Sequence, residues 1–278
     1  MRPGLACLTL AANPSPAPAV VVASPTENGH ASDCMPRIVT YNVRRCVGND
    51  RRLDVARVAD VLAALEPDIV ALQELDVGRA RTGGVDQAHE IALRLDMACH
   101  FHAALKVEEE LYGDALLTAF PERLIQVGPL PGQPMTRMLE PRGALWVEVD
   151  IGGVAVQVIN THLGLVPKEQ QVQAEHLAGP AWLRHPRCMG ARILLGDFNA
   201  TATSVVYRTL TRTLKPARRL SPRQTPTATF PSRLPVLRID HLFVSDEITV
   251  RDVFAPFDPK SRVASDHLPL VMDFDVTA

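Results

Sequence analysis

Apolar and polar positions along residues 37–275 switch between two periods, and each switch marks an element. Arg37 to Val43 is a short apolar run with a polar residue, Asn42, near its end, and it reads as a buried strand. Asp54 can cap a helix in which Val55, Val58, Val61, Leu62 and Leu65 fall on one face. Pro67 closes that helix, and Asp68 to Gln73 forms the next strand, a β-α-β start. Asp86 to Leu95 predicts a second short helix, and Asp114 to Thr118 a strand. Leu145 to Asp150 and Val154 to Thr161 flank Ile151-Gly152-Gly153, a hairpin signal. Lys168 to Leu177 is helical after Pro167, Ile193 to Leu195 is a buried strand, and Ser204 to Leu214 is helical again. Strands carrying Asp240-His241 and Asp266-His267 at their starts complete the chain. Such βαβ units combined with hairpins predict an α/β protein with a mixed sheet.

The strands end in unusual residues. The run from Ile193 stops in Gly196-Asp197-Phe198-Asn199, and residues two apart on an extended backbone point the same way, so Asp197 and Asn199 can address one centre. Other strand ends carry Asn42, Gln73-Glu74, Asn160-Thr161-His162, Asp240-His241 and Asp266-His267. A core strand gains nothing from ending in Glu, Asp or His, because a buried charge must be paired or neutralised. Ligands of α/β sheets gather at strand ends. Six such ends in one chain predict one shared polar site.

Tyr-Asn-Val at Asn42, Gln-Glu at Glu74, Asn-Thr-His-Leu at His162, Gly-Asp-Phe-Asn at Asp197, Ile-Asp-His at Asp240 and Ser-Asp-His-Leu-Pro-Leu at His267 occur in this order over residues 37–275. In these motifs the chain resembles the endonuclease/exonuclease/phosphatase family of metal-dependent phosphohydrolases. The resemblance implies two mixed sheets packed face to face between outer helices, a four-layered α/β sandwich. It implies a Mg²⁺ or Mn²⁺ ion held by Glu74, with Asn42 and Asp266 on the metal side, a donor set suited to a hard cation that keeps several waters. His267 becomes the general acid/base, oriented by Asp240 rather than by the adjacent Asp266. His162 becomes a donor to a phosphate oxygen, Asp197 orients or deprotonates the attacking water, and Asn199 holds a phosphate oxygen. Whether Asp197 or His267 takes the proton stays open. Arg44 and Arg142 are candidates to grip phosphate, since guanidinium can chelate it with parallel N–H bonds. Strand alternation turns His241 away from Asp240 and out of the set. Thr118-Ala119 stands where the family pattern has Ser-Arg, so that family arginine has no counterpart.

Composition narrows the classes. A net charge of −2 gives no global attraction to nucleic acid or an anionic membrane. Five scattered cysteines, none in Cys-x-x-Cys spacing, argue against a disulfide framework and a zinc site and fit a reducing, cytoplasmic compartment. Residues 1–34 are Pro-punctuated without helical or strand period and are expected to be a disordered or mis-called tail, with export through it as the alternative. The domain is then residues 35–278. With aromatics at 5%, no stacking platform for single-stranded bases is evident. No long apolar hairpin or transmembrane anchor is expected, no obligatory protein partner, and a monomer. The substrate is expected to be a phosphate ester, with nucleic acid, phospholipid and inositol phosphate all open. A non-catalytic relative would have lost some of Glu74, Asp197, Asp240 or His267, and a zinc hydrolase would show His-x-x-x-His spacing; neither holds. Between Asp197 and Asp240 there is no acid but eight Lys or Arg residues, a basic segment that either lies along the substrate's approach or is a solvated helix and Pro-rich loop answering acids elsewhere, such as Glu108 to Glu110.

Overall fold

The computed structural model describes residues 35–132 and 139–277; the expected N-terminal tail lies outside them. In chain order the elements are β1 (Arg37–Asn42), α1 (Val55–Ala63), β2 (Ile69–Val77), α2 (Gln87–Leu95), β3 (Ala98–Val107), β4 (Glu110–Thr118), β5 (Glu122–Pro129), β6 (Gly143–Ile151) and β7 (Val154–His162). There follow α3 (Pro167–Leu177), β8 (Ala191–Asp197), α4 (Val205–Leu210), β9 (Lys215–Pro216), α5 (Ala217–Leu220), β10 (Asp240–Val244), β11 (Ile248–Phe254), α6 (Ser261–Ala264) and β12 (Leu270–Val276). They form two six-stranded sheets, ordered β11-β12-β1-β2-β4-β3 and β5-β6-β7-β8-β10-β9. Each is mixed: β1 runs parallel to β2 across α1, and β7 parallel to β8 across α3, while all other pairs are antiparallel.

Side-chain alternation sorts the strands into layers. Ile38, Ala71 and Leu116 meet Leu145, Val158, Ile193, Leu195 and Leu242 in a core between the sheets. The intervening residues Val39, Tyr41, Val70 and Leu72 pack against α1 and α2. On the far side Trp146, Ile159 and Leu194 pack under α3 and α4. This is the four-layered α/β sandwich that the resemblance implied.

The local signals behave as their chemistry requires. The Asp54 carboxylate accepts from Arg57 N at 2.8 Å and starts α1, and Asp86 does the same for α2 through His89 N at 2.9 Å. Gly152 and Gly153 take φ of 62° and 89° in the β6–β7 hairpin. The helix expected over 204–214 stops at Leu210; Lys215 and Pro216 instead pair with Val244 and Phe243 at a sheet edge. Strands β3, β5 and β11 were not foreseen.

One glycine holds the centre of the second sheet. Gly196 sits on β8 at φ 141°, and a Cβ there would run into the carbonyl of Thr161 on β7. Gly196→Ala is therefore expected to cost roughly 2–4 kcal/mol through overpacking and backbone strain, read as a fall in Tm of about 5–10 °C. An unchanged Tm would contradict this packing.

Candidate active site

The polar strand ends occupy one end of the core between the sheets. Within each strand the parity that sends Ile38, Ala71, Val158, Ile193 and Leu242 into that core also sends Asn42, Gln73, His162, Asp197 and Asp240 toward it. The parallel pairs put Asn42 level with Gln73 and His162 level with Asp197. Asp240, at the start of β10, lies opposite Asp197 because β10 runs antiparallel to β8. Below them the sheets are tied by Gln73 Nε2 donating to Asn160 Oδ1 at 2.7 Å, while Asn160 Nδ2 donates to Leu72 O and Ala115 O. Asn160 thus braces the floor.

Asp197 is the hub. Its Oδ2 accepts from Asn42 Nδ2 at 2.9 Å and lies 3.5 Å from His162 Nε2 and 3.6 Å from His267 Nε2. Its Oδ1 accepts from Asn199 N at 2.8 Å. Burial raises the Asp197 carboxyl's pKa, and the nearby Asp240 charge adds to the rise. His267 Nδ1 sits 2.9 Å from Asp240 Oδ2, which also accepts from Thr229 Oγ1. Because that oxygen only accepts when ionised, it fixes the proton on Nδ1 and turns Nε2 toward Asp197. Burial disfavours charging His267, yet the Asp240 and Asp197 carboxylates outweigh it and raise its pKa.

Glu74 reaches the same centre through a break in its strand. Straight alternation would point it at the helices, but the β2–β4 register shifts between Leu72 and Leu75, and Glu74 takes φ of 61°. Its Oε1 then accepts from Asn42 Nδ2 at 3.0 Å. With two carboxylates facing that nitrogen, the amide orientation is fixed, and Asn42 Oδ1 accepts from Arg44 N at 3.1 Å. Asp266 joins through Arg44, whose Nε is 3.4 Å from Asp266 Oδ2, and through Ser265 Oγ, which donates to Asn42 O at 2.8 Å.

Arg142, expected to grip phosphate, is buried, with Nη1 2.9 Å from His162 Nδ1 and 2.9 Å from Glu140 Oε1. Guanidinium can only donate, so His162 Nδ1 is the lone-pair nitrogen and Nε2 carries the hydrogen, directed toward Asp197. Burial and then the Arg142 charge hold the His162 pKa well below its ordinary value, keeping the ring neutral. The Asn199 amide at 3.1 Å from Nε2 cannot donate to it and instead donates to Leu163 O at 3.0 Å. Arg142→Gln is expected to lower kcat about tenfold and release the His162 tautomer, seen as loss of the Nε2–H pattern in imidazole ¹⁵N NMR; an unaltered spectrum would remove this role.

Sequence reasoning missed Asp114. It is mid-strand, fully buried beside Arg142, and its carboxylate accepts the Glu74 backbone N–H. Burial pushes its pKa up to about 8. The only signal was an acid heading the apolar run Ala115-Leu116-Leu117. His241 does point away, with Nε2 donating to Ala200 O at 2.7 Å among Phe198, Tyr207 and Phe243.

A four-layered α/β sandwich whose strand ends gather carboxylates, amides and imidazoles around one point is a hydrolase architecture. The chain belongs to the Endonuclease/Exonuclease/phosphatase family, whose model matches residues 39–267. Members of that family are phosphoester hydrolases that depend on a divalent metal ion. Among solved structures, an endonuclease/exonuclease/phosphatase from Bacteroides vulgatus superposes with a TM-score of 0.71 at 19% identity, covering 88% of this chain and 100% of that one. A functionally unknown conserved protein from Enterococcus faecalis V583 gives 0.70 at 20% identity, covering 87% and 100%. A mannosyl-6-phosphatase from Bacteroides thetaiotaomicron gives 0.66 at 17% identity, covering 86% and 99%. No curated protein matches the chain.

The residues present suit such a metal. Glu74 and Asp266 are partly exposed carboxylates, both tied to the Asn42–Arg44 turn, and the described cysteines are buried. Hard oxygen donors with solvent access fit Mg²⁺ or Mn²⁺ better than a soft, closed zinc site. Asp197, Asp240 and His267 also offer atoms within 4.8 Å of one another. In that trio Asp240 Oδ2 is taken by His267 Nδ1 and Thr229 Oγ1, while Asp240 Oδ1 is buried with no partner among the described residues.

Proposed function

We propose that the protein is a Mg²⁺- or Mn²⁺-dependent phosphodiesterase that cleaves P–O bonds by attack of water. The observation that carries this reading is the convergence of His162 Nε2, His267 Nε2 and Asn42 Nδ2 on Asp197 Oδ2, with His267 backed by Asp240. Glu74 and Asp266 would hold the ion, and Asn42 would steady Glu74. When bound, the ion neutralises phosphate oxygens and eases departure of the leaving oxygen.

The chain's own groups supply the rest. Neutral His162, held as the Nε2–H tautomer, donates to a non-bridging phosphate oxygen. Asp197 orients the attacking water, whose oxygen bonds to phosphorus as the P–O bond to the leaving group breaks. The water proton passes to the Asp197–His267 pair, and a proton returns to the leaving oxygen, giving a phosphate monoester and an alcohol. Asp240 stabilises the charge on His267 during transfer. Arg44, half exposed and beside Asp266, would take a second phosphate oxygen.

A parallel assay of bis(4-nitrophenyl) phosphate and 4-nitrophenyl phosphate with Mg²⁺ or Mn²⁺ tests the bond class. A higher kcat/KM for the diester is expected. A preference for the monoester would favour a phosphatase, as in the mannosyl-6-phosphatase neighbour.

A further inference from the structure

Much of the basic segment is engaged within the protein, though Arg218 and Arg238 line a pocket that also contains Asp240. Arg208 donates to Thr203 O, Lys215 pairs with Asp246, Arg218 donates to Gln224, Arg219 stacks over Tyr207 and Arg223 pairs with Asp252. The segment's end behaves differently. Residues 229–237 close a tight hairpin in which Phe230 pairs with Leu237. Its base is locked onto the site: Thr229 Oγ1 donates to Asp240, Phe230 lies 4.9 Å from the His267 ring, and Ser232 N donates to Asp266 O. Its tip is apolar and open, with Leu234 at 70% exposure, Val236 at 66% and Leu237 at 42%.

The neighbouring surface matches it. Phe257, 53% exposed, lies under the Arg262 guanidinium at 4.6 Å, and Arg262 Nη2 donates to the carbonyl of exposed Arg233. Arg233 in turn donates to Asn49 O, and the Asn49 amide binds Ser232 Oγ, so the tip is pinned rather than loose. Four open apolar side chains and two arginines are thus joined through Arg262 and Arg233 in a platform at a hairpin whose base, at Phe230, meets the His267 ring.

We infer that this platform docks an anionic lipid surface and presents a lipid phosphodiester to the site, an inference that rests on the phosphoesterase reading above. Three of the four side chains are aliphatic and Arg262 covers one face of Phe257, which argues against a stacking platform for single-stranded nucleic acid. Insertion into the acyl boundary needs only apolar area, and interfacial arginines add attraction to anionic headgroups. A protein of net charge −2 gains such attraction only from a local patch.

The test is flotation of the full chain with vesicles of phosphatidylglycerol and phosphatidylcholine, against phosphatidylcholine alone, with a duplex oligonucleotide as competitor. Binding to the anionic vesicles is expected, with at least a tenfold loss in Leu234→Ser/Val236→Ser, roughly the worth of the apolar groups removed. Turnover of bis(4-nitrophenyl) phosphate and Tm should not change in that variant. Arg233→Gln should weaken binding selectively to the anionic vesicles. No binding of the wild type, equal binding of the double variant, or release by duplex at stoichiometric amounts would overturn the lipid assignment. Because the small diester is read separately, loss of its hydrolysis in the wild type would count against the phosphoesterase reading instead.

Discussion

His267→Ala is expected to lower kcat for a phosphodiester by a factor of about 10² or more, the usual consequence of removing a general acid/base. The reasoning is geometric. His267 Nδ1 is held at 2.9 Å by Asp240, and Nε2 faces Asp197 across 3.6 Å, so in the proposed mechanism the ring joins the orienting carboxylate to the one that meets water. Asp240→Asn should cost less, about tenfold, because the ring remains but loses its anionic partner and its fixed tautomer. Since the two act as one unit, the double variant should be little worse than His267→Ala alone. Kinetics of the three variants with matched thermal melts check this. Full activity of Asp240→Asn, or independent, multiplying losses, would dissolve the pairing.

Glu74→Gln is expected to abolish most metal-dependent hydrolysis, by about 10² or more, while the protein stays folded. The substitution keeps the side chain's size and leaves an amide oxygen to accept from Asn42, so the β2 bulge need not move. What it removes is the negative charge that attracts the ion. The apparent Mg²⁺ requirement should therefore rise along with the fall in rate. Near-normal turnover with an unchanged Mg²⁺ titration would mean that Glu74 serves the fold alone.

Much of this site was legible because strand parity is strict. Polar strand ends pointed to one shared site for Asn42, His162, Asp197 and Asp240, and alternation turned His241 away; in the structure the four share the parity of the core residues and His241 does point away. The helix α1 was legible for a similar reason: its apolar stripe and its Asp54 cap agree. The failures have physical causes. Strand β5 is an edge strand of half-exposed residues, and the outer half of β3 is equally open, so neither shows a clean alternation. The bulge at Glu74 could not be read, because a glutamate at positive φ carries no glycine to announce it. The place of Arg142 at a strand head suggested a phosphate grip but gave no sign of its contact with His162 Nδ1 at 2.9 Å, which depends on the neighbouring strand. Asp114 was passed over because its burial depends on two other strands.

The central claim is that this cluster hydrolyses a phosphodiester only with a divalent metal ion in place. The most direct measurement is bis(4-nitrophenyl) phosphate turnover by chelator-treated protein as Mg²⁺ is added back, with Mn²⁺ in a parallel series. The account predicts no hydrolysis after chelation and a saturable recovery with added metal. A rate that survives chelation undiminished, or no turnover with either metal, would contradict it.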